Sequence, residues 1–292
     1  MKQLKILLVV LLAFAMIAAA CGGDDDDASS DASSDSSSDD MAGDEPAEML
    51  TDVGVDDATI KVGLLVDLTG AFAPLTVPIT DGTEAYFEWL NDNGGVAGRQ
   101  IEVVTLDTGY DVPTHQSHYD SLSGSGADGV VFIANSTGSP HTASIRSDLV
   151  DDDLGAVALS WNSSWTDPAS SNVFEWLSNY CIESMNGVTY MSETHGTDVA
   201  IVSWPGDYGE DGAIGAHIAA EALGLNVVYD GQGAQVPRAD ATPVIAEIVA
   251  ADPDFVWLTT NPTDAAAIIG GAVAAGYTGQ FAGNGPPTTR RC

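Results

Sequence analysis

The sequence predicts an α/β fold of two tandem Rossmann-like lobes, each with a parallel sheet, and a cleft between the lobes. The first observation is that short apolar runs alternate with amphipathic stretches of helical length. Strands covered by helices on both faces have this nearly continuous apolar character. The second observation is that the alternation stops after residue 160 and begins again near residue 199. Two lobes explain this interruption better than one continuous sheet.

In the first series, four apolar runs have the length and composition of strands: Ile60–Val66, Ile101–Leu106, Gly129–Ala134 and Ala156–Leu159. Three amphipathic stretches between them are predicted to be helices: Ile79–Asn93, Thr114–Ser123 and Ser139–Asp151. After the first of these helices, residues 93–98 read Asn-Gly-Gly-Val-Ala-Gly. Residues of this kind tolerate a positive φ, which a helix stop requires.

The second series has the same rhythm, with strands predicted at Val199–Ser203, Asn226–Tyr229, Phe255–Thr259 and Gly279–Ala282. Its helices are predicted at Glu210–Leu223, Thr242–Ala251 and Thr263–Ala275. An irregular, aromatic-bearing stretch from Trp161 to Tyr180 separates the two series, and we expect the chain to cross between lobes near Leu177–Glu183. Ligands of open α/β sheets bind beyond the carboxyl ends of strands, so two facing lobes predict an interlobe site.

The composition excludes several classes of function. The chain has 8 basic and 43 acidic residues, a formal net charge of -35. Such a surface repels nucleic acid and anionic lipid headgroups, so neither is expected as a direct partner. The three cysteines, Cys21, Cys181 and Cys292, are too few for a disulfide framework. The His, Cys and carboxylate residues show no metal-ligand spacing, and no cofactor is expected.

The amino terminus has the features of an export signal. Lys2 and Lys5 precede the apolar run Ile6–Ala20, which is shorter than the roughly 20 residues of a membrane span. Cys21 follows three alanines and precedes two glycines, so the segment resembles the lipobox of bacterial lipoproteins. That resemblance implies a signal peptide over residues 1–20 and lipidation of Cys21. An ordinary secretory signal that happens to contain a cysteine is the alternative.

Residues 21–57 are predicted to be a lipid-anchored, disordered acidic tether. Between Asp24 and Glu48 there are 11 acidic residues and no basic or aromatic residue. Such a segment buries too little apolar surface to offset its ordering entropy, and its like charges extend it. We expect it to hold the folded lobes away from a membrane.

Four motifs in order resemble those of one known family. They are Ile60–Gly70 at the first strand, Glu88–Arg99 at the first helix end, Asp207–Gly212 (Asp-Tyr-Gly-Glu-Asp-Gly), and Ala251–Val256 (Ala-Asp-Pro-Asp-Phe-Val). The chain is similar to type I periplasmic binding proteins, the substrate-binding subunits of branched-chain amino acid and amide ABC transporters. The resemblance spans about residues 58–285 and implies an N-terminal lobe over 58–178 and a C-terminal lobe over 179–292. Pro286–Cys292 departs from the family pattern, so we expect the second lobe to be incomplete.

The resemblance also implies ligand-binding residues in the first lobe. Ser136, Thr137 and Ser139 follow the third predicted strand and match the family's hydroxyl-rich loop that holds a ligand carboxylate. Hydroxyls and free amides at a helix start suit an anion, although Ser and Thr are also preferred there as simple caps. Ser163 and Ser164 match a second loop that contacts the ligand's backbone groups.

Further site residues are implied around the cleft. Asp264 falls where the family places its ammonium-binding acid, and an acid in a first helical turn is also favoured by the macrodipole. Tyr208 matches a cleft tyrosine that covers the ligand on closure, and Phe72 is expected to line the pocket or the core. Trp161 and Trp165 suggest room for an aromatic or apolar substituent.

The expected function is that of a solute-binding lipoprotein without enzymatic activity. It would capture a small amino-acid-like or amide ligand by lobe closure and deliver it to an ABC permease, anchored on the extracytoplasmic face of a bacterial membrane. One alternative is a ligand sensor that signals to a membrane partner. Another is an exported α/β hydrolase, but the sequence has no G-x-S-x-G elbow.

Overall fold

A computed structural model of the chain describes residues 50–166 and 172–286. Cys21, the predicted signal peptide and most of the predicted tether lie outside these residues. The N-terminal lobe contains β1 (Thr59–Val66), α1 (Ala73–Asp92), β2 (Gln100–Asp107), α2 (Val112–Ser123), β3 (Phe132–Thr137), α3 (Ser139–Asp151), β4 (Gly155–Leu159) and β5 (Val173–Phe174). A short 3-10 helix spans Ser163–Trp165 between β4 and β5.

The C-terminal lobe begins with a helix that the sequence analysis did not predict, α4 (Tyr180–His195). It continues with β6 (Asp198–Ser203), α5 (Asp207–Leu223), β7 (Asn226–Gly231), α6 (Thr242–Ala251), β8 (Phe255–Thr259), α7 (Pro262–Ala274) and β9 (Gln280–Gly283). The start of α4 is capped by the Asn179 side chain, which accepts a hydrogen bond from the Ile182 amide at 2.9 Å. The chain passes from the first lobe to the second between β5 and this cap.

Each lobe is organised around one parallel sheet. The first sheet has the strand order β2-β1-β3-β4-β5 and the second has β7-β6-β8-β9. All the strand pairs are parallel, and the central strands are almost entirely buried. Helices on both faces supply the apolar partners that such strands require. The predicted α/β fold with two parallel sheets is therefore confirmed.

Close packing between α4, α5 and the second sheet depends on two glycines. A Cβ on Gly187 of α4 would lie 2.0 Å from the ring of Trp257 on β8. A Cβ on Gly215 of α5 would lie 2.1 Å from the carbonyl oxygen of Cys181 on α4. Such distances leave no room for a larger residue, so these glycines let the helices approach the sheet and each other.

The end of β3 differs from the prediction. The apolar pattern placed the strand over Gly129–Ala134, whereas the strand runs from Phe132 to Thr137 and so contains polar residues. Ser136 is fully buried there, with its hydroxyl 3.2 Å from His115 Nε2 and 2.8 Å from Thr142 Oγ1. These internal hydrogen bonds allow polar side chains to occupy a buried strand.

Candidate ligand-binding site between the lobes

The first side of the site is built by the loop between β1 and α1. The buried carboxylate of Asp67 accepts hydrogen bonds from the backbone amides of Gly70 and Phe72, the latter at 2.7 Å. A Cβ on Gly70 would collide with Asp67 and with Gly109, so only glycine fits this turn. The loop consequently fixes Phe72 at the start of α1, where its ring is buried and points toward the second lobe.

The second side is the junction of β3 and α3. Gly138 has a φ of 102°, a conformation that favours glycine, and it ends the strand immediately before α3 begins at Ser139. The Thr137 hydroxyl donates to Asn135 Oδ1 at 3.0 Å. The Ser139 side chain is 1% exposed and forms no hydrogen bond of ordinary geometry, although the Tyr180 phenol lies beside it. The start of α3 therefore faces the second lobe.

Tyr208, at the start of α5, is the main contribution of the second lobe. Its hydroxyl donates to the Thr260 carbonyl oxygen at 2.9 Å, which fixes the ring over the gap between the lobes. The ring centroid lies 4.7 Å from that of Tyr180 and 6.0 Å from that of Phe72. Burial raises the pKa of Tyr208 and of Tyr180 well above the usual value of 10, so both phenols stay neutral.

Two adjoining cavities lie among these residues. The smaller, about 20 Å³, has room for one water molecule. It is lined by Phe72, Leu75, Thr76, Tyr110, Thr137, Gly138, Ser139, Leu159, Trp161, Tyr180, Tyr208 and Pro286. The larger, about 330 Å³, is within the range of small-ligand pockets. It is lined by Leu75, Ile79, Leu159, Trp161, Trp176, Leu177, Ser178, Glu183, Gly285 and Pro286.

The two cavities share four wall residues, Leu75, Leu159, Trp161 and Pro286, and together form one site with two unlike ends. The smaller end carries hydroxyls and the start of α3. The larger end is walled mostly by apolar side chains. Both lobes contribute residues to each cavity, so movement of one lobe relative to the other would open or close the site.

Of the eight residues that the resemblance implied, four line the site: Phe72, Thr137, Ser139 and Tyr208. The other four do not, and each has partners within the protein. Ser136 bonds inside the first lobe, as described above. The Ser164 hydroxyl donates to Asn162 Oδ1 at 2.6 Å, within its own loop.

Asp264 is also engaged by the protein itself. It is 4% exposed, and its Oδ2 accepts from Trp204 Nε1 at 2.9 Å, from the Arg238 amide at 3.2 Å and from Asn261 Nδ2 at 3.2 Å. The Trp204 indole lies between this carboxylate and Phe72, whose ring centroid is 5.2 Å from that of Trp204. Asp264 therefore holds the Trp204 indole against Phe72, and neither Asp264 nor Trp204 lines a cavity.

Ser163 connects the lobes. Its amide donates to Asp211 Oδ2 at 3.0 Å and its hydroxyl donates to Asp211 Oδ1 at 2.5 Å, and Asp211 belongs to α5 of the second lobe. Nearby, Asn162 Nδ2 donates to the Asp207 carbonyl oxygen at 2.9 Å. On the other side of the site, Arg238 Nη2 donates to the Thr69 carbonyl oxygen at 3.2 Å. These bonds hold the two lobes in contact around the cavities.

Acidic residues near the interface have altered pKa values. Burial is the main cause that raises the pKa of Glu175 to about 7, with a smaller contribution from Asp211. Burial likewise raises the pKa of Asp211 and of Glu183. Glu183 lines the larger cavity, and its Oε2 accepts from Asn284 Nδ2 at 2.9 Å. Desolvation therefore disfavours the charged form of these carboxyls.

Sequence reasoning missed several wall residues, notably Tyr110, Tyr180, Leu75 and Leu159. Tyr110 follows β2, and its φ of 57° is unusual for a residue with a side chain. Its ring packs against Phe72 at 4.8 Å. The available signal was the position of these residues at or shortly after strand ends, or near a helix start. Trp161 lines both cavities, in keeping with its expected place near a pocket, whereas the Trp165 indole donates to the Ser160 carbonyl inside the first lobe.

Within residues 50–166 and 172–286, no group of His, Cys, Asp and Glu side chains is arranged to hold a metal ion. No helix in the same part of the chain has both the length and the apolar character to cross a membrane. The polar side-chain groups that line the cavities are hydroxyls, the indoles of Trp161 and Trp176, and the carboxylate of Glu183. This set can bind a small organic molecule without further groups.

Solved structures resemble the chain over most of its described length. A fatty acid ABC transporter substrate-binding protein from Thermomonospora curvata is 30% identical, with a TM-score of 0.75, over 82% of this chain and 60% of that one. LivJ from Streptococcus pneumoniae in complex with isoleucine is 19% identical, with a TM-score of 0.69, over 77% of this chain and 64% of that one.

A solute-binding protein from Rhodopseudomonas palustris in complex with 4-hydroxybenzoate is 18% identical, with a TM-score of 0.68, over 79% of this chain and 63% of that one. The chain thus spans about three fifths of the length of these proteins. No curated protein matches the chain. The profile of the periplasmic binding protein family matches residues 59–290. The chain therefore belongs to the periplasmic binding protein family.

Proposed function

We propose that the chain is the solute-binding component of an ABC transporter, which captures a small organic ligand between its lobes and delivers it to a permease. The observation that carries the proposal is the pair of adjoining cavities whose walls come from both lobes. The fatty acid ABC transporter protein named above supports the assignment to transport, since it is 30% identical to this chain. Binding would be reversible and would leave the ligand chemically unchanged.

The ligand presents an oxygen acceptor to the first lobe and an apolar body to the larger cavity. Amino acids, their amides and simple carboxylic acids all satisfy this description. Binding would draw the lobes together because the ligand, once held near α3, completes its contacts with Tyr180 and Tyr208 of the second lobe. The bonds from Ser163 to Asp211 add to the closed state.

The protein would act outside the cytoplasm, on the extracytoplasmic face of a bacterial membrane. Export by the signal of residues 1–20, lipidation of Cys21 and tethering by residues 21–57 are parts of the proposal that rest on the sequence. A lipid anchor would keep the ligand-loaded lobes close to the permease. The charge of the tether would keep it extended.

A thermal-shift screen of the soluble chain from Asp24 onward tests the proposal. A ligand present at 100 times its dissociation constant should stabilise the folded protein by about 2.7 kcal/mol. The panel contains amino acids, amides and carboxylic acids, and each ligand that stabilises the protein is recovered and weighed by mass spectrometry. Stabilisation by an unchanged ligand supports the proposal. Stabilisation by no ligand, or conversion of one in proportion to protein, contradicts it.

A further inference from the structure

We propose that the ligand is an apolar carboxylic acid that carries no ammonium group, with its carboxylate at Ser139 and Trp161 and its apolar body in the larger cavity. This inference rests on the proposed function, because it names the ligand class of the same site. It differs from the amino-acid-like ligand that the family resemblance implies.

The carboxylate end is indicated by a buried indole donor without an acceptor and by a buried serine hydroxyl. Trp161 is 8% exposed, and its Nε1, which can only donate, has no hydrogen-bond acceptor among the described residues. The Ser139 hydroxyl, beside the Tyr180 phenol, likewise makes no hydrogen bond of ordinary geometry. Both residues line the smaller cavity. A buried donor without an acceptor is unfavourable, so an acceptor supplied by the ligand would satisfy both groups.

The start of α3 adds a preference for negative charge. Gly138 precedes the helix without any side-chain cap, and the first turn contains no acidic residue. The positive end of the helix dipole is therefore not neutralised by the protein at this cavity. A helix of 13 residues that begins at a cavity with an unpartnered indole donor and a serine hydroxyl is suited to a carboxylate.

The position of an ammonium group decides between an amino acid and a simple acid. In an α-amino acid the ammonium lies one carbon away from the carboxylate, so it would share the smaller cavity. No Asp or Glu lines that cavity. Asp264, the acid that the resemblance implied, does not line the cavity, and its Oδ2 accepts hydrogen bonds from Trp204, Asn261 and the Arg238 amide. A desolvated ammonium without an acidic partner is strongly disfavoured.

The larger cavity fits the apolar body. Six of its walls are Leu75, Ile79, Leu159, Trp161, Trp176 and Leu177. Its single carboxylate among the described residues, Glu183, already accepts a hydrogen bond from Asn284. Its volume of about 330 Å³ has room for roughly ten groups of the size of a water molecule, counted at about 30 Å³ each. A branched or aromatic acid of that size would fill it.

Pairs of ligands that differ in one group test the inference by calorimetric titration. Leucine and 4-methylpentanoate differ only by the ammonium group, and phenylalanine and 3-phenylpropanoate form a second such pair. We expect each acid to bind at least about tenfold more tightly than its amino acid, because the ammonium loses hydration without gaining an acid. The neutral 4-methylpentanamide should bind more weakly than 4-methylpentanoate.

The outcomes separate this inference from the proposed function. If leucine or phenylalanine binds as tightly as the matching acid, the inference is wrong and the protein remains a solute-binding protein. If 4-methylpentanamide binds as tightly as 4-methylpentanoate, the assignment of a negatively charged head group is wrong. If no acid, amide or amino acid binds, both the inference and the proposed function fail.

Variants with internal controls test the head group separately. Trp161→Phe keeps an aromatic wall but removes the indole donor, and should weaken 4-methylpentanoate binding by about 10- to 100-fold. The affinity for 4-methylpentanol, which lacks the carboxylate, should change much less. Trp165→Phe removes an indole whose donor is already bonded to Ser160, so it should lower the melting temperature without changing the acid-to-alcohol ratio. An unchanged ratio in Trp161→Phe would contradict the inference.

Discussion

The bond between Ser163 and Asp211 crosses the two lobes, so its removal should weaken ligand binding without a change inside the cavity. Ser163 follows β4 in the first lobe, and Asp211 lies on α5 in the second. The change that isolates this contact is Ser163→Ala, which deletes the hydroxyl bond at 2.5 Å and leaves the amide bond to Asp211 at 3.0 Å. Neither residue lines the cavities.

The expected magnitude follows from the chemistry of the bond. A hydrogen bond to a charged group contributes about 1.5–3 kcal/mol, and the lower end applies here because one bond to Asp211 remains. About 1.4 kcal/mol corresponds to a tenfold change in an equilibrium constant. The bond exists only when the lobes are in contact, so this free energy is lost from the closed state. Ligand affinity should consequently fall by up to about tenfold, in proportion to the smaller closed population.

Calorimetric titration of parent and variant measures the affinity, and small-angle scattering of the unliganded proteins measures their radius of gyration. The matched control is Ser164→Ala. In the parent, the hydroxyl and the amide of Ser164 both donate to Asn162 within the same loop, so neither hydrogen bond crosses between the lobes. We expect weaker binding and a larger radius for Ser163→Ala alone. Equal affinities and equal radii for the two variants would refute the argument that this bond stabilises closure.

Three further predictions concern stability, pH and anchoring. Gly187→Ala should lower the free energy of unfolding in urea by at least about 1–3 kcal/mol, because its Cβ would overlap Trp257. Gly270→Ala, in a helix with open space around it, should raise that free energy by up to about 1 kcal/mol. Equal effects of the two variants would contradict the packing described for Gly187. Burial raises the folded-state pKa of Glu175 from 4.5 to about 7, so its ionisation lowers stability as pH rises through that range. The melting temperature of Glu175→Gln relative to the parent should therefore increase from pH 4.5 to pH 7 and then stay level; a difference that is the same at every pH would contradict it. Cys21→Ser should release the protein from the membrane in a detergent phase partition, and retention would disprove the lipid anchor.

The alternation of apolar and amphipathic segments was sufficient to predict the two sheets. Parallel strands that are covered by helices on both faces need apolar side chains along almost their whole length, and this pattern is visible in the sequence. It was not sufficient at the end of β3, where Ser136 and Thr137 extend the strand beyond its apolar part. Their hydrogen bonds to residues distant in sequence, such as His115, are not visible in a local pattern. Helix α4 was missed because it lies between the irregular stretch, which ends at Tyr180, and the second apolar series, which was predicted to begin at Val199.

The candidate site was predictable in position but not in chemistry. Phe72, Thr137, Ser139 and Tyr208 lie at or shortly after strand ends, which is where ligands of such sheets bind. Whether a side chain at such a position contacts the ligand depends on whether other residues of the folded protein already bond to it. Asp264 illustrates the difficulty, since three donors in the folded protein occupy a carboxylate that the sequence suggested for an ammonium group.

The central claim is that the chain holds one apolar acid between its lobes and releases it unchanged. A single calorimetric titration with 4-methylpentanoate, followed by mass spectrometry of the recovered ligand, tests this claim most directly. We predict saturable binding of one acid per chain, full recovery of the intact acid, and tighter binding than that of leucine in the same buffer. Absence of saturable binding, or recovery of an altered product, would contradict the account.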